Sequence, residues 1–418
     1  MRTGLSAAEA QRAILEQVLP LGVETIGARD ALGRVLAEAV VSRFDLPPAD
    51  NSAMDGYAVR RTDLLSASAE SPVRLQVVDE IPAGGQSNTR LEARQAVRIF
   101  TGAPIPAGAD AVVRQEDTET EGDRVSIRVA PAPREHIRDA GEDVRRGEAV
   151  LQPGQVLGPG ALGVLASLGR SVVSVHQKPR VAILSGGDEL VEPDGEIEGG
   201  RIVSSNSYSL AAQCRLAGAD PTYLGIARDN PDDIERHFRA GLHADVLVSS
   251  AGVSVGDRDY VRDVLEKLGC TLLFWGVNLK PGYPFAFGRF ADDAGPLVFG
   301  LPGNPVSAMV TFELFVRPAL RRMAGHSTLY RPLVRARLAE TLRKQPGRIH
   351  FVRVELERDG EQIVARSTGN QSSGVLRSMS LAQGLLIFPA EARELVEGET
   401  VSVQVLDENF LAADSPGF

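Results

Sequence analysis

The run Gly300-Leu-Pro-Gly-Asn-Pro305 carries the residue types that a ligand site needs at a helix start. Asn304 is a good N-cap, Pro305 suits the first helical position, and Gly303 lets a ligand approach the backbone. The free N–H groups of such a start attract an anion through both geometry and dipole. Lys280-Pro281-Gly282 adds a cation on a stiff turn. Glu189, Asp229 and Asp259 each follow a predicted strand end. Carboxylates converging on one edge repel one another unless a divalent cation or a cationic ligand sits among them. Taken singly, each acid reads as a solvated surface group and the helix start as a plain turn. Together they point to an anion site served by a divalent metal.

Two other glycine patterns carry less. Gly158-Pro-Gly-Ala-Leu-Gly163 satisfies G-x-G-x-x-G, but Gln152-Pro153-Gly154 truncates the strand before it. Lys178 and Arg180 stand where a ribose-binding acid belongs, so Pro159 marks an ordinary helix start. Gly252-Val-Ser-Val-Gly256 matches a G-x-S-x-G nucleophile elbow, with His326 and His350 downstream as bases. Gly256-Asp257-Arg258 delays the helix that an elbow needs at once, which leaves a serine hydrolase using Ser254 as an alternative. Asp50-Asn-Ser-Ala-Met-Asp-Gly-Tyr-Ala58 and Thr101-Gly-Ala-Pro104 are more elaborate than plain turns require.

The elements that must position these residues follow from periodicity. Ser6 and Glu9 form a capping box opening a first helix, and a second amphipathic helix is expected over 31–40. From 72 to 133, short Val/Ile/Leu runs broken by turn residues read as a small β-rich domain. Residues 149–175 return to a short strand and a helix, which with the early helices flank the β insert as one elongated unit. Strands at 181–184, 222–226, 246–249, 271–275 and 297–299 then alternate with helices at 207–217, 232–240, 259–268 and after 305. That alternation predicts a parallel three-layer sheet with ligands at the carboxyl ends of its strands, where the glycine loops lie. A strand at 351–356, the turn Asp359-Gly360 and a return strand at 363–365 predict a last, small β domain.

Composition bounds the function. A length of 418 residues corresponds to several domains at about 150 residues each. The chain has 55 acidic against 45 basic residues, a net charge of -10 and only 5% aromatics, which argues against a nucleic-acid partner. Mean hydropathy is -0.07 and no apolar run approaches membrane-spanning length, so no membrane association and a cytoplasmic location are expected. The cysteines, Cys214 and Cys270, form no C-x-x-C pair and read as buried thiols in a reducing compartment.

In order along the chain, Asn51-Ser-Ala-Met-Asp-Gly-Tyr-Ala58, Thr101-Gly-Ala-Pro104, Gly187-Asp-Glu-Leu190, Gly252-Val-Ser-Val-Gly256 with Asp259-Tyr260, Lys280-Pro-Gly282 with Pro284-Phe-Ala-Phe-Gly288, and Gly300-Leu-Pro-Gly-Asn-Pro-Val-Ser-Ala308 form a specific set. The chain resembles the molybdopterin molybdenumtransferases, the MoeA and gephyrin E-domain family, over essentially its whole length. The resemblance implies a multidomain α/β and β fold, an elongated chain of four subdomains. These are an N-terminal unit of 1–45 plus 140–177 and a β-rich insert of 46–139. A three-layer α/β/α molybdopterin-binding domain of 178–326 and a small β-barrel-like domain of 327–418 follow. It also implies a homodimer with an active site shared between subunits, supplied by a molybdopterin adenylyltransferase.

The implied reaction is Mg2+-dependent insertion of molybdate into adenylylated molybdopterin, with release of AMP. Carried over, Glu189, Asp229 and Asp259 would hold Mg2+ and the substrate phosphates. Gly186, Gly187 and Asp188, Gly252, Ser254 and Gly256, and Pro302, Gly303, Asn304 and Pro305 would cradle pterin and nucleotide. Lys280, Arg348 and Ser373 would meet molybdate, and Asp55, Thr101 and Asp143 would come from the other subunit. Two positions depart from the family pattern. Tyr283 replaces the second lysine of Lys-Pro-Gly-Lys-Pro, and Gly186 replaces a threonine. The first removes a cationic oxyanion contact and raises the alternative of a tungstate-inserting paralogue. A non-catalytic scaffold is a further alternative, since eukaryotic relatives cluster receptors, but their extra adenylating domain and linker are missing here.

Overall fold

A computed structural model describes residues 1–86, 88–250, 260–290 and 295–412. Its centre is a seven-stranded sheet in the order Arg2–Leu5, Cys270–Val277, Ala286–Phe290, Leu297–Gly300, Val246–Ser250, Arg180–Gly186, Asp220–Ala227. Strand Arg180–Gly186 runs parallel to both neighbours, and Val246–Ser250 is parallel to Leu297–Gly300. The all-parallel expectation needs one correction: Ala286–Phe290 is antiparallel to the strands on either side. It reverses directly after Cys270–Val277, and so short a connection cannot make the crossover that a parallel pair requires.

The sheet is buried on both faces, which is why its strands read as continuous apolar runs. Val181 and Ile183 face helices Asn206–Leu216 and the segment 305–323, together with helix Ala7–Leu15. Leu184 and Leu247 face helices Pro231–Gly241 and Tyr260–Lys267 on the other side. The first strand pairs with Cys270–Val277, and Ala10, Ala13, Ile14 and Val18 join the core of the α/β unit. The chain's opening residues therefore belong to this sheet, not to the elongated N-terminal unit expected for 1–45. The Ser6–Glu9 capping box forms as its sequence predicts.

In the elongated unit, Val23–Gly27 pairs with Val172–His176 and Val40–Val41 with Ala149–Leu151. The helix expected over 31–40 does not form. Ala31, Val35, Leu36 and Val40 are buried at helix-like spacing, but Gly33 takes a φ of +75°. The N–H groups of Gly33, Leu36 and Ala37 donate to Leu157, Gln155 and Ser174 instead. Tertiary pairing overrides local periodicity here. The helix in 158–175 spans only Pro159–Ser167, with Gly158 as N-cap and Pro159 in its first turn.

The insert is a six-stranded sheet in the order Ala111–Arg114, Gly56–Val59, Gln95–Ile99, Val73–Ile81, Arg124–Ile127, Thr118–Glu121. At the other end of the chain, strands Ile349–Asp359, Gln362–Ser367, Leu333–Leu338, Thr400–Val405 and Gly384–Phe388 close through a second pairing of the first with the last. That closure makes a small five-stranded barrel around its own core. Leu279–Lys280 adds to the barrel in parallel, setting Lys280 opposite His350. Glu313, 4% exposed, accepts from Arg331 at 3.0 Å and from Gln213 at 3.0 Å, while Arg331 also donates to Leu406. This buried network fastens the barrel to the α/β unit. No helix among the described residues is long and apolar enough to cross a membrane.

Candidate active site

The parallel strands end at Gly186, Ala227, Ser250, Val277 and Gly300, so the segments that follow share one edge of the sheet. Gly187 takes a φ of +142°, and a Cβ there would meet the Glu189 carboxylate at 2.5 Å. Glycine thus lets Glu189 fold back over the strand end. Asp188 accepts from the Asp229 N–H at 3.2 Å, joining two neighbouring acid-bearing loops. Arg228 donates to the carbonyls of Asp188 and Leu190, pinning the first loop to the second. Among the described residues, no group of three His, Cys, Asp or Glu side chains gathers to hold a metal ion. Asp259, with Gly252, Ser254 and Gly256, lies outside the described residues.

Under this edge runs a seam of buried hydroxyls. Ser204 donates to Ser185 at 3.1 Å and lies 3.3 Å from Ser207. Asn206 donates to the Gly303 carbonyl at 2.8 Å, while its own Oδ1 is buried without a partner. The glycine loop is therefore tied to the helix of the first βα unit. Asn304 occupies the N-cap, yet its side chain makes no capping bond. The Val306 N–H donates to the Ser373 carbonyl, so the barrel loop carrying Ser373 closes over this helix start. Pro302 is buried and Gly303 exposed beside it, and Pro305 holds the first turn.

Arg353 holds that barrel loop from below. Fully buried, it donates to Ser378, Asn370 and Ser372, and burial lowers its pKa to about 10.

A cavity of about 410 Å³ opens between Lys280 and the barrel, lined also by Arg343, Lys344, Arg348, His350 and Gln371. The Arg348 guanidinium lies 4.5 Å from the centroid of Tyr283, whose ring meets Trp275 edge-on at 5.6 Å. Burial, then Lys280, Arg353 and Lys344, push the His350 pKa down to about 4. Its Nε2 is buried without a partner. A neutral imidazole carrying its proton on Nδ1 fits this best, because a buried lone pair costs less than a buried unpaired donor.

In the β-rich insert, Asp55 accepts from both the N–H and the hydroxyl of Thr101 at 2.8 Å, which lowers its pKa. The Ser52 N–H donates to the Ala103 carbonyl, and the Gly102 N–H donates to the Ser52 carbonyl. The two polar motifs of this domain thus form one built corner. Asp143 is exposed on a turn whose N–H donates to Leu46.

Residue types alone did not single out Asn206, Arg228, Lys344 or Arg353, which act by fastening loops rather than by carrying a motif. Most of their partners are backbone carbonyls 17 or more residues away, which no local pattern announces.

The fold is that of a multidomain protein whose central α/β unit is joined to a small closed barrel. Residues 5–169 match the family described as MoeA N-terminal region (domain I and II). Residues 182–322 match the probable molybdopterin binding domain, and 335–406 the MoeA C-terminal region (domain IV). A molybdopterin molybdenumtransferase of Nostoc sp. is 40% identical over 376 residues, covering 89% of this chain and 86% of that protein. Molybdopterin molybdenumtransferase 2 of Mycobacterium tuberculosis H37Rv is 38% identical, covering 95% and 98%. The crystal structure of a molybdopterin biosynthesis moeA protein from Pyrococcus horikoshii OT3 superposes with a TM-score of 0.80 at 32% identity, covering 96% and 100%. The chain belongs to the MoeA family of molybdopterin molybdenumtransferases. The hydrolase, scaffold and tungstate alternatives are not favoured.

Proposed function

We propose that this chain inserts molybdate into adenylylated molybdopterin and releases AMP. The observation that supports this reading is the shared sheet edge, along which acid-bearing loops, a glycine-lined helix start and Lys280 of a basic cavity follow successive strand ends. Substrate, product and oxymetallate are all anions, and the chain's net charge of -10 opposes them. Local donors must overcome that field. Gly186, Gly187, Pro302, Gly303, Asn304 and Pro305 offer backbone to pterin and phosphate, and Asn206 fixes that backbone in place. Lys280, Arg348 and Ser373 receive molybdate beside the dithiolene, where holding the two reactants together does most of the work.

Glu189, Asp229 and Asp259 are assigned to Mg2+. Their carboxylate oxygens suit a hard cation, and the Asp188–Asp229 bond keeps two of the loops adjacent. When bound, the ion would neutralise charge on the departing phosphate. In this reading Asp55, Thr101 and Asp143 of the partner subunit close the site of a cytoplasmic homodimer, which receives its substrate from a molybdopterin adenylyltransferase.

The test is incubation with adenylylated molybdopterin, Mg2+ and molybdate, following AMP. Asp229→Asn should slow release by about tenfold or more with melting unchanged. Full activity in that variant, or no AMP from the native chain, refutes the assignment. Repeating the assay with tungstate measures oxyanion preference.

A further inference from the structure

We propose that Tyr283, braced by Trp275, and Lys344 are positioning residues that hold Arg348 ready as the planar cationic contact for the incoming oxyanion. The inference rests on the oxyanion reading of the cavity beside Lys280 and assigns what builds that contact in this chain.

Arg348 is exposed on the loop leading into the barrel strand Ile349–Asp359. A free arginine there would sample many rotamers, and an anion would have to order it on binding. Both halves of the residue are instead fixed. The Lys344 ammonium donates to the Arg348 carbonyl at 3.0 Å and to the Ala390 carbonyl at 2.9 Å, and lies 5.0 Å from the Phe388 centroid. That anchors the backbone. The guanidinium carbon lies 4.5 Å from the Tyr283 ring centroid, a cation–π contact that restrains the head group while Arg348 stays exposed to an oxyanion.

Tyr283 is itself held. Its carbonyl accepts from the N–H groups of Val277 and Phe285, and its ring meets Trp275 edge-on. Gly276, at a φ of +78°, leaves room for the ring, since a Cβ there would lie 3.3 Å from it. An aromatic platform under a guanidinium thus stands where the family pattern has a second ammonium. Arg343, Lys344 and Arg348 of the barrel side add positive charge to that of Lys280.

The test measures molybdate binding by calorimetry and by fluorescence of Trp275, the single tryptophan of the chain. Sulfate serves as a second tetrahedral dianion. Tyr283→Phe keeps the platform and should bind within about twofold of the native protein. Tyr283→Leu should bind about three- to tenfold more weakly. In turnover, Tyr283→Leu should raise KM for molybdate by the same factor, leaving kcat and KM for adenylylated molybdopterin within about twofold. Lys344→Met should shift molybdate affinity in the same direction, and circular dichroism melting identifies any variant that fails to fold. Equal affinity in Tyr283→Phe and Tyr283→Leu overturns the positioning role, as does a fall in kcat with KM unmoved. If Arg348→Ala binds molybdate as tightly as the native chain, the oxyanion reading of the cavity fails instead.

Discussion

The acidic loops and the basic cavity lie on the same edge of one sheet, yet they are built in opposite ways. Asp188 and Asp229 are set by bonds within two adjoining loops of the α/β unit, with Arg228 gripping carbonyls of the same unit. The cavity draws Lys280 from the sheet side and Arg343, Lys344, Arg348 and His350 from the barrel side. One pole is local to a domain, and the other exists only while two domains stay docked. A mechanism that needs both poles is therefore most vulnerable at the junction.

Glu313→Ala is the change that breaks this contrast most strongly. Glu313 sits on the π-helical turn Phe312–Val316, nearly inaccessible, with Arg331 at 3.0 Å and Arg317 at 3.7 Å. Removing it strands two guanidinium groups, of which Arg317 already has its pKa lowered to about 10, chiefly by burial. The expected loss is about 3–5 kcal/mol in urea unfolding. Glu313→Gln, which keeps the shape, should also lose stability while retaining the bond to Gln213. A loss below about 1 kcal/mol for the alanine variant would mean that the barrel is held by other contacts. Where the variant still folds, anion binding in the cavity should suffer before the Asp188–Asp229 link does.

The same contrast explains what could be read from sequence. The α/β unit was legible because buried parallel strands write unbroken apolar runs and glycine loops mark their ends, as in 181–187. The acids followed, since they stand next to those ends. Residues 31–40 misled because Ala31, Val35 and Val40 repeat at helical spacing while Leu36 and Ala37 spend their N–H groups on distant carbonyls. Strand Arg2–Leu5 was missed because an edge strand of four half-exposed residues has no periodicity to show. Of the cavity's lining, Lys280 was legible as a cation on a stiff turn and Arg348 through resemblance. His350 and Lys344 become part of a site only through docking, and docking leaves no mark on local sequence.

Acid should expose the basic pole next. His350 and His326 both have pKa values pushed from 6.5 down to about 4, chiefly by burial. A base with a depressed folded pKa is protonated first in the unfolded chain. Its neutral form therefore supports the fold fully above about pH 6.5, and stability falls as pH drops from there toward 4, levelling off below. Each histidine accounts for a loss of about 2–3 kcal/mol across that window. His350→Gln should flatten the curve by its own share when unfolding is followed at pH 7.5 and pH 4.5. Comparison with the native chain cancels the carboxylates common to both. An unchanged difference between the two pH values would show that His350 is not held neutral by burial and its cationic neighbours.

The smallest expected effect falls on the corner of the β-rich insert, which is local in construction like the acidic pole. Asp55 is partly exposed, and its low pKa comes from the Thr101 N–H first and the Thr101 hydroxyl second. Thr101→Val removes only the hydroxyl. The Asp55 carboxyl should then titrate higher, though still below its ordinary value because the backbone donor remains. Carboxyl chemical shifts followed against pH would read this directly, with thermal melting close to that of the native chain. A full return to the ordinary carboxylate range would mean that the side chain holds the turn itself, so that the backbone bond is lost with it. No movement at all would leave the N–H as the sole effective donor, and the corner would then be a main-chain device like the loop joining Asp188 to Asp229.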